Sequence, residues 1–262
     1  AFIEIMTEGD ANGRGFQYPI PTYSITKDFD WSETENNRLL FEMTAKYGTP
    51  YFSNYINSDM EPSDVRSMCC RLRLDLRELR KKSGGFFGSG ESTGSVGVVT
   101  INLPRIAINA HGNVEWFFEE LERKVNLVIE QLLERFKIQS AKKVRNYPFL
   151  MGEGVWIDSE KLNYDDEVRE VLKHGTLSVG FIGLAEALKA LLGVHHGESE
   201  IAQNLGLDII GHMRKRMDDL SAETHLNFSL LATPAEGLSG RFVRMDRERF
   251  GSIEGVTDRE YY

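Results

Sequence analysis

Cysteine is scarce in this chain, whose 262 residues contain only Cys69 and Cys70. Because the two are adjacent, they are poorly placed for an ordinary long-range disulfide, and so low a count is typical of a reducing compartment. We therefore expect a cytoplasmic protein. The chain also lacks a C-x-x-C pair and an H-E-x-x-H motif, so the sequence predicts no metal site.

Long apolar runs and an excess of positive charge are also missing. No run approaches membrane-spanning length and no signal peptide opens the sequence, so we expect neither a membrane partner nor export. The net charge of -9 argues against a nonspecific nucleic-acid binder. With 41% hydrophobic residues, the chain is long enough for a sizeable core, and one large domain fits as well as two.

Both cysteines lie in a predicted strand–loop–strand unit. Ser67 to Leu74 and the apolar run Ser95 to Leu103 both favour strands, and a glycine-rich loop at 84–94 separates them. This pattern predicts an antiparallel hairpin inside a buried sheet. Adjacent residues of a strand face opposite ways, so only one cysteine can face a given cavity. Both can equally be small core residues.

Hydrophobic periodicity and turn residues predict the other elements. The segment V-G-F-I-G-L-A-E-A-L-K-A-L-L is mostly apolar, so we assign Ser178 to Leu192 to a helix whose glycines allow another backbone to approach. The further predictions are a helix ending near Gly9, an extended segment from Phe16 to Trp31, a helix from Thr34 to Tyr47, a strand from Tyr51 to Ile56, a long amphipathic helix from Val114 to Phe136, a helix from Glu198 to Asp219 with Ile201, Leu205 and Ile209 along one side, and a strand from Leu226 to Leu231.

A helix start follows that last strand. Thr233 is a good N-cap residue, Pro234 suits the first turn, and Glu236 three residues on would complete a capping box. Such an N-terminus also presents free N–H groups and a positive dipole end to phosphate. Capping alone and phosphate binding both fit this pattern.

Several blocks, in order along nearly the whole chain, resemble the anaerobic (class III, glycyl-radical) ribonucleotide reductases. The blocks are C-C-R-L followed by V-G-V-V-T-I-N-L-P-R, the segment Y-P-I-P-T-Y-S-I-T-K-D-F-D-W, A-K-Y-G-T-P-Y-F, H-G-T-L-S-V-G-F-I-G-L-A-E, and T-P-A-E. The resemblance implies an α/β fold that is part of a ten-stranded α/β barrel with a central finger-loop hairpin. Residues 1–262 would be a partial catalytic barrel domain, without the N-terminal effector region and the C-terminal glycyl-radical region.

The same resemblance implies catalytic residues. The family's radical-carrying cysteine directly precedes an arginine, which corresponds here to Cys70 before Arg71. Cys69 stands where the family usually has glycine and is a possible second catalytic thiol. Ser95 occupies the position at which formate-using members have asparagine, so formate and a thiol or redoxin donor both remain open as reductant.

The implied reaction is reduction of ribonucleoside triphosphates to deoxyribonucleoside triphosphates for DNA synthesis. A glycyl radical from the missing C-terminal region, a radical-SAM iron–sulfur activating enzyme and a homodimeric partner would be required, and the fragment alone would be inactive. A noncatalytic nucleotide-binding remnant and another type of glycyl-radical enzyme are the alternatives. The substrate-binding residues implied by the resemblance are Asn227, Ser229, Thr233, Pro234, Ala235 and Glu236.

Overall fold

The computed structural model of the chain divides into two compact units, Ala1–Arg66 and Ser67–Tyr262. For residues 65–67 and 73–75 it describes the backbone only, and the side chain of Glu236 is also outside the description. The residues that the structure describes are 1–16, 18–19, 21–56, 65–67, 73–75 and 94–262.

The elements alternate between strands and helices along the larger unit, as in α/β proteins. Short helical turns at 144–146, 148–152 and 159–161 connect two of the helices. The bounds are α1 (Phe2–Glu8), β1 (Thr22–Ile25), α2 (Glu35–Tyr47), β2 (Tyr51–Asn54), β3 (Val65–Ser67), β4 (Arg73–Asp75), β5 (Ser95–Asn102), α3 (Leu103–Ala110), α4 (Val114–Ser140), α5 (Arg169–Leu172), β6 (Thr176–Ile182), α6 (Leu184–Leu192), α7 (Glu200–Thr224), β7 (Asn227–Ala232) and α8 (Glu236–Phe250).

The smaller unit follows the sequence predictions. The side chain of Thr34 accepts a hydrogen bond from the Asn37 amide and caps α2. The helix ends at Gly48, whose φ of 67° lies in the left-handed region that glycine tolerates best. Strands β1 and β2 pair in parallel, and α1 ends at the predicted Gly9. Local capping and turn chemistry therefore determine these boundaries.

The larger unit contains a parallel sheet in the order β5-β6-β7. The prediction of a single helix from Ser178 to Leu192 is wrong, because the central strand, β6, includes the first part of this segment. The segment forms β6 and then α6, and Gly183 makes the turn between them with a φ of 81°. A short apolar run is compatible with a buried strand as well as with a helix. Here β5 and β7 pair in parallel with this segment on its two sides, so it forms a strand.

The predicted antiparallel hairpin of residues 67–74 and 95–103 stays a prediction, because its loop and most of its first strand lie outside the described residues. Its second strand is observed as β5, which pairs in parallel with β6. Parallel strands need long crossovers, and here helices α3 to α5 connect β5 to β6. The ends of the predicted 67–74 strand coincide with β3 and β4, but Cys69, Cys70 and the glycine-rich loop lie outside the described residues.

Helices cover one face of this sheet and form the main core with it. Helix α4 contributes the predicted stripe of apolar residues, and α7 packs beside it through Ile209, Met213 and Met217, which are all fully buried. Ile201 was expected on that side of α7, but it is 75% exposed because the buried face of the helix begins at Ala202. The strand side chains in this core are Val96, Val99, Ile101, Leu177, Val179, Phe181, Phe228 and Leu230.

No helix in the described part of the chain has the length and apolarity needed to cross a membrane. Within the same residues, no three potential metal ligands of the types His, Cys, Asp and Glu are grouped together.

Candidate active-site face and pocket

The face of the β5-β6-β7 sheet opposite the helices carries polar side chains in rows across the strands. Thr176 and Ser178 alternate with core residues along β6, so their side chains share this second face. Each bonds to its neighbour on β7: the Asn227 amide donates to the Thr176 hydroxyl at 3.0 Å, and the hydroxyls of Ser178 and Ser229 lie 2.9 Å apart. Buried hydroxyl groups are therefore satisfied within the sheet, which gives this face a defined polar surface.

A third row crosses the sheet at Gly180. The hydroxyls of Thr100 and Thr233 meet above this glycine at 3.1 Å. A Cβ atom on residue 180 would lie 2.2 Å from the Thr233 Oγ1 and 2.7 Å from the Thr100 Oγ1. Glycine is thus required at this position because the two threonines occupy the space that a side chain would take.

The third row leads to a pocket at the carboxyl ends of β6 and β7. Parallel α/β sheets bind ligands at this edge. The pocket has a volume of about 280 Å³, and the segment that follows β7 forms one wall while the chain terminus of the described structure forms another. Its lining residues are Phe181, Ile182, Gly183, Ala232, Thr233, Pro234, Ala235, Ser239, Tyr261 and Tyr262.

The predicted capping box at this junction is wrong. The Thr233 amide donates to the Phe181 carbonyl at 3.0 Å, so the strand pairing with β6 continues past the end of β7. The Thr233 hydroxyl pairs with Thr100 instead of capping a helix amide. Helix α8 consequently begins later, at Glu236, and its N-cap residue Ala235 makes no side-chain cap. The free amides of the first turn therefore remain available at the edge of the pocket.

Tyr262 closes the pocket from the other side and is held by α8. Its backbone amide donates to the Ser239 hydroxyl, which in turn donates to the Tyr262 carbonyl, both at 2.9 Å. Its phenol donates to Asp246 at 2.8 Å. Burial, together with this bond to a carboxylate, raises the pKa of the Tyr262 phenol far above its ordinary value.

The candidate residues from the sequence fall into two groups on the same sheet. Thr233, Pro234 and Ala235 line the pocket, whereas Ser95 is in register with Thr176 at the opposite end of the strands, and Asn227 lies on the other side of Thr176. At about 3.3 Å per residue, these ends are roughly 20 Å apart. Cys69, Cys70 and the side chain of Glu236 lie outside the described residues, so their placement stays a prediction.

Sequence reasoning missed the partners that organise this face. Thr100, Thr176 and Ser178 occur inside strands that read as apolar, and their polarity becomes significant only when the register aligns them with polar residues of a neighbour. The sequence did not single out Asp246 as a functional residue, because a carboxylate within a charged helix is usually solvated. Alternation of small polar residues within β6 was the one available clue.

Comparison with known sequences finds similarity along the whole chain. The family described as anaerobic ribonucleoside-triphosphate reductase matches residues 1–262. The anaerobic ribonucleoside-triphosphate reductase of Escherichia coli is 37% identical over 229 residues, which are 86% of this chain and 31% of that protein. The protein of that name from Haemophilus influenzae is 31% identical over 253 residues, 94% of this chain and 35% of its own length. The chain thus spans about a third of the length of these relatives.

Solved structures share the fold. A crystal structure of the anaerobic ribonucleotide reductase from Thermotoga maritima with glycerol in the active site has a TM-score of 0.60 and 19% identity, covering 94% of this chain and 37% of that one. Another, in complex with dATP and CTP, has a TM-score of 0.59 and 19% identity, covering 92% of this chain and 37% of that one. These likenesses confirm the expected fold class, an α/β arrangement that is part of the reductase barrel.

Proposed function

The chain belongs to the anaerobic ribonucleoside-triphosphate reductase family, and we propose that it is part of a catalytic barrel that reduces ribonucleoside triphosphates by thiyl-radical chemistry. The observation that carries this proposal is the pocket at the end of β7, whose wall is the same Thr233-Pro234-Ala235 segment that the resemblance assigns to substrate binding. The polar rows that lead away from it supply a surface for a ribose.

The junction between β7 and α8 suits a triphosphate for a physical reason. The first amides of α8 have no side-chain cap, and they lie at the positive end of the helix dipole. Backbone N–H groups hold phosphate oxygens without regard to the base. Thr233 takes part by holding the end of β7 against Thr100, rather than by capping the helix.

The proposed chemistry centres on Cys70. A glycyl radical elsewhere in the full-length polypeptide would supply the unpaired electron by taking the hydrogen atom of the Cys70 thiol. The Cys70 thiyl then takes the 3′-hydrogen of the ribose and regains its S–H bond. Water then leaves from C2′, the reductant supplies two electrons and the hydrogen that replaces the hydroxyl at C2′, and the Cys70 thiol returns its hydrogen atom to C3′, which restores the thiyl radical. A closed barrel shields such intermediates from solvent.

The remaining partners and residues follow from the same proposal. A radical-SAM iron–sulfur enzyme would activate the polypeptide, which would act as a homodimer. Ser95 lies beside the Thr176–Asn227 row at the start of β5, a place from which a small reductant could meet the ribose. Formate and a thiol donor remain the two candidates for this reductant, with Cys69 as a possible thiol.

If the β7–α8 junction binds phosphate, Pro234→Gly should weaken the binding of all ribonucleoside triphosphates to the same extent. Proline restricts the backbone dihedral before α8, and loosening it should cost about 1 kcal/mol, or roughly a fivefold loss of affinity. The measurement is the Kd of two purine and two pyrimidine ribonucleoside triphosphates for the full-length polypeptide. Pro148→Gly, at a turn outside the pocket lining, should leave all four values unchanged. A loss confined to one base would mean that this segment reads the base and would overturn the assignment.

A further inference from the structure

A buried polar cluster lies behind the pocket and joins three parts of the fold. Its centre is Asp246, a fully buried residue of α8. The carboxylate accepts hydrogen bonds from the Arg105 Nε at 2.5 Å, the Asn102 Nδ2 at 2.8 Å and the Tyr262 phenol at 2.8 Å. Asp246 therefore ties the end of β5, the first turn of α3 and the segment after α8 to one point.

The three donors contribute to the cluster in different ways. The Oδ1 of Asn102 accepts from the Arg105 amide at 3.1 Å and caps α3, while its Nδ2 serves Asp246. The Arg105 guanidinium balances the buried negative charge. The phenol of Tyr262 is the third donor, and burial together with the bond to Asp246 raises its pKa further. A complete set of partners is what allows a charged group to remain buried at this place.

Tyr262 is held at two positions along α8. The Tyr262 side chain is held at Asp246, and its backbone is held at Ser239, which is seven residues earlier and two helical turns away. Arg247 adds support by donating to the carbonyls of Thr257 and Arg259. The wall of the pocket formed by Tyr261 and Tyr262 thus depends on Ser239 in the lining and on Asp246 and Arg247 outside it.

We propose that Asp246 is a positioning residue for this pocket, acting through Tyr262 to hold the wall that faces the β7–α8 junction. Asp246 itself does not line the pocket, so it shapes the site without touching the ligand. The ligand class, a ribonucleoside triphosphate, is taken from the proposed function, on which this inference rests. Loss of the Asp246–Tyr262 bond would release the wall while leaving the junction amides in place.

The test measures ATP affinity in the full-length polypeptide with Asp246→Asn, Tyr262→Phe and the double variant. Each single change should raise the Kd about fivefold, because Tyr262→Phe deletes the Asp246–Tyr262 bond and Asp246→Asn replaces its charged acceptor with a weaker neutral one. The double variant should be no weaker than the weaker single variant, because both changes act on the same bond. Tyr262→Phe removes a single hydroxyl and keeps the experiment decisive if Asp246→Asn does not fold. Additive losses, or single variants with the wild-type Kd, would overturn the proposal.

A matched control separates positioning from general destabilisation. Glu122 on α4 also accepts hydrogen bonds from two partners, His212 and Arg216 of α7, away from the pocket. Glu122→Gln should lower the Tm without changing the Kd. If the wild-type polypeptide binds no nucleotide, the proposed function fails together with this inference. If it binds while the Asp246 and Tyr262 variants are unchanged, the inference alone fails.

Discussion

Replacing Cys70 with serine in the full-length polypeptide is expected to reduce turnover of ribonucleoside triphosphates to the assay background. The S–H bond is weak enough to exchange a hydrogen atom with both a glycyl carbon and a ribose carbon, whereas the serine O–H bond is too strong. Cys70 is chosen over Cys69 because Arg71 follows it, as in the family pattern. Turnover is measured as deoxyribonucleotide formed after activation under anaerobic conditions.

Cys69→Ser is the matched control for this experiment. Cys69 stands where the family usually has glycine, so it should be dispensable for hydrogen abstraction, and the Cys69 variant should retain turnover when formate or an added dithiol serves as reductant. Nucleotide Kd should be close to wild type in both variants, since neither change touches the proposed phosphate site. Comparable turnover in Cys70→Ser and wild type would eliminate Cys70 as the radical carrier.

The second large effect is expected for Gly180→Ala. The added methyl carbon would lie 2.2 Å from the Thr233 Oγ1, so the hydroxyls of Thr100 and Thr233 must separate and Thr233 must shift or change its rotamer. Forcing a methyl group into a packed site typically costs about 1–3 kcal/mol. Because Thr233 is also part of the pocket wall, we expect ribonucleoside triphosphate affinity to fall roughly tenfold or more, given that 1.4 kcal/mol corresponds to a factor of ten.

Gly211→Ala provides the comparison for the same chemical change. Gly211 lies within α7, and a Cβ atom there would meet nothing within 4 Å. Alanine favours a helix interior by up to about 1 kcal/mol over glycine, so this variant should bind nucleotide normally and unfold at a slightly higher temperature. Wild-type affinity in Gly180→Ala would show that the threonine pair does not hold the pocket in shape.

The sequence alone predicted those features of the fold that residues close together in the chain determine. Helix α2 begins after Thr34 and ends at Gly48, as the sequence predicts, because a cap and a left-handed glycine act within one helical turn. The amphipathic stripe of α4 was equally clear from its spacing. The family resemblance rests on blocks such as T-P-A-E, of which Thr233, Pro234 and Ala235 line the pocket, and their role in substrate binding stays a prediction.

Contacts between distant segments were decided only by the tertiary structure. Strand β6 looked helical because its apolar run has no period of its own, and its parallel neighbours determine its conformation. Thr233 failed as a cap because a carbonyl from β6 takes its amide. Asp246 accepts a hydrogen bond from Arg105, which is 141 residues away in the sequence. Parallel strands are joined by long crossovers, so the residues that share a sheet face or a buried charge cluster are far apart along the chain, where no local pattern can indicate their contact.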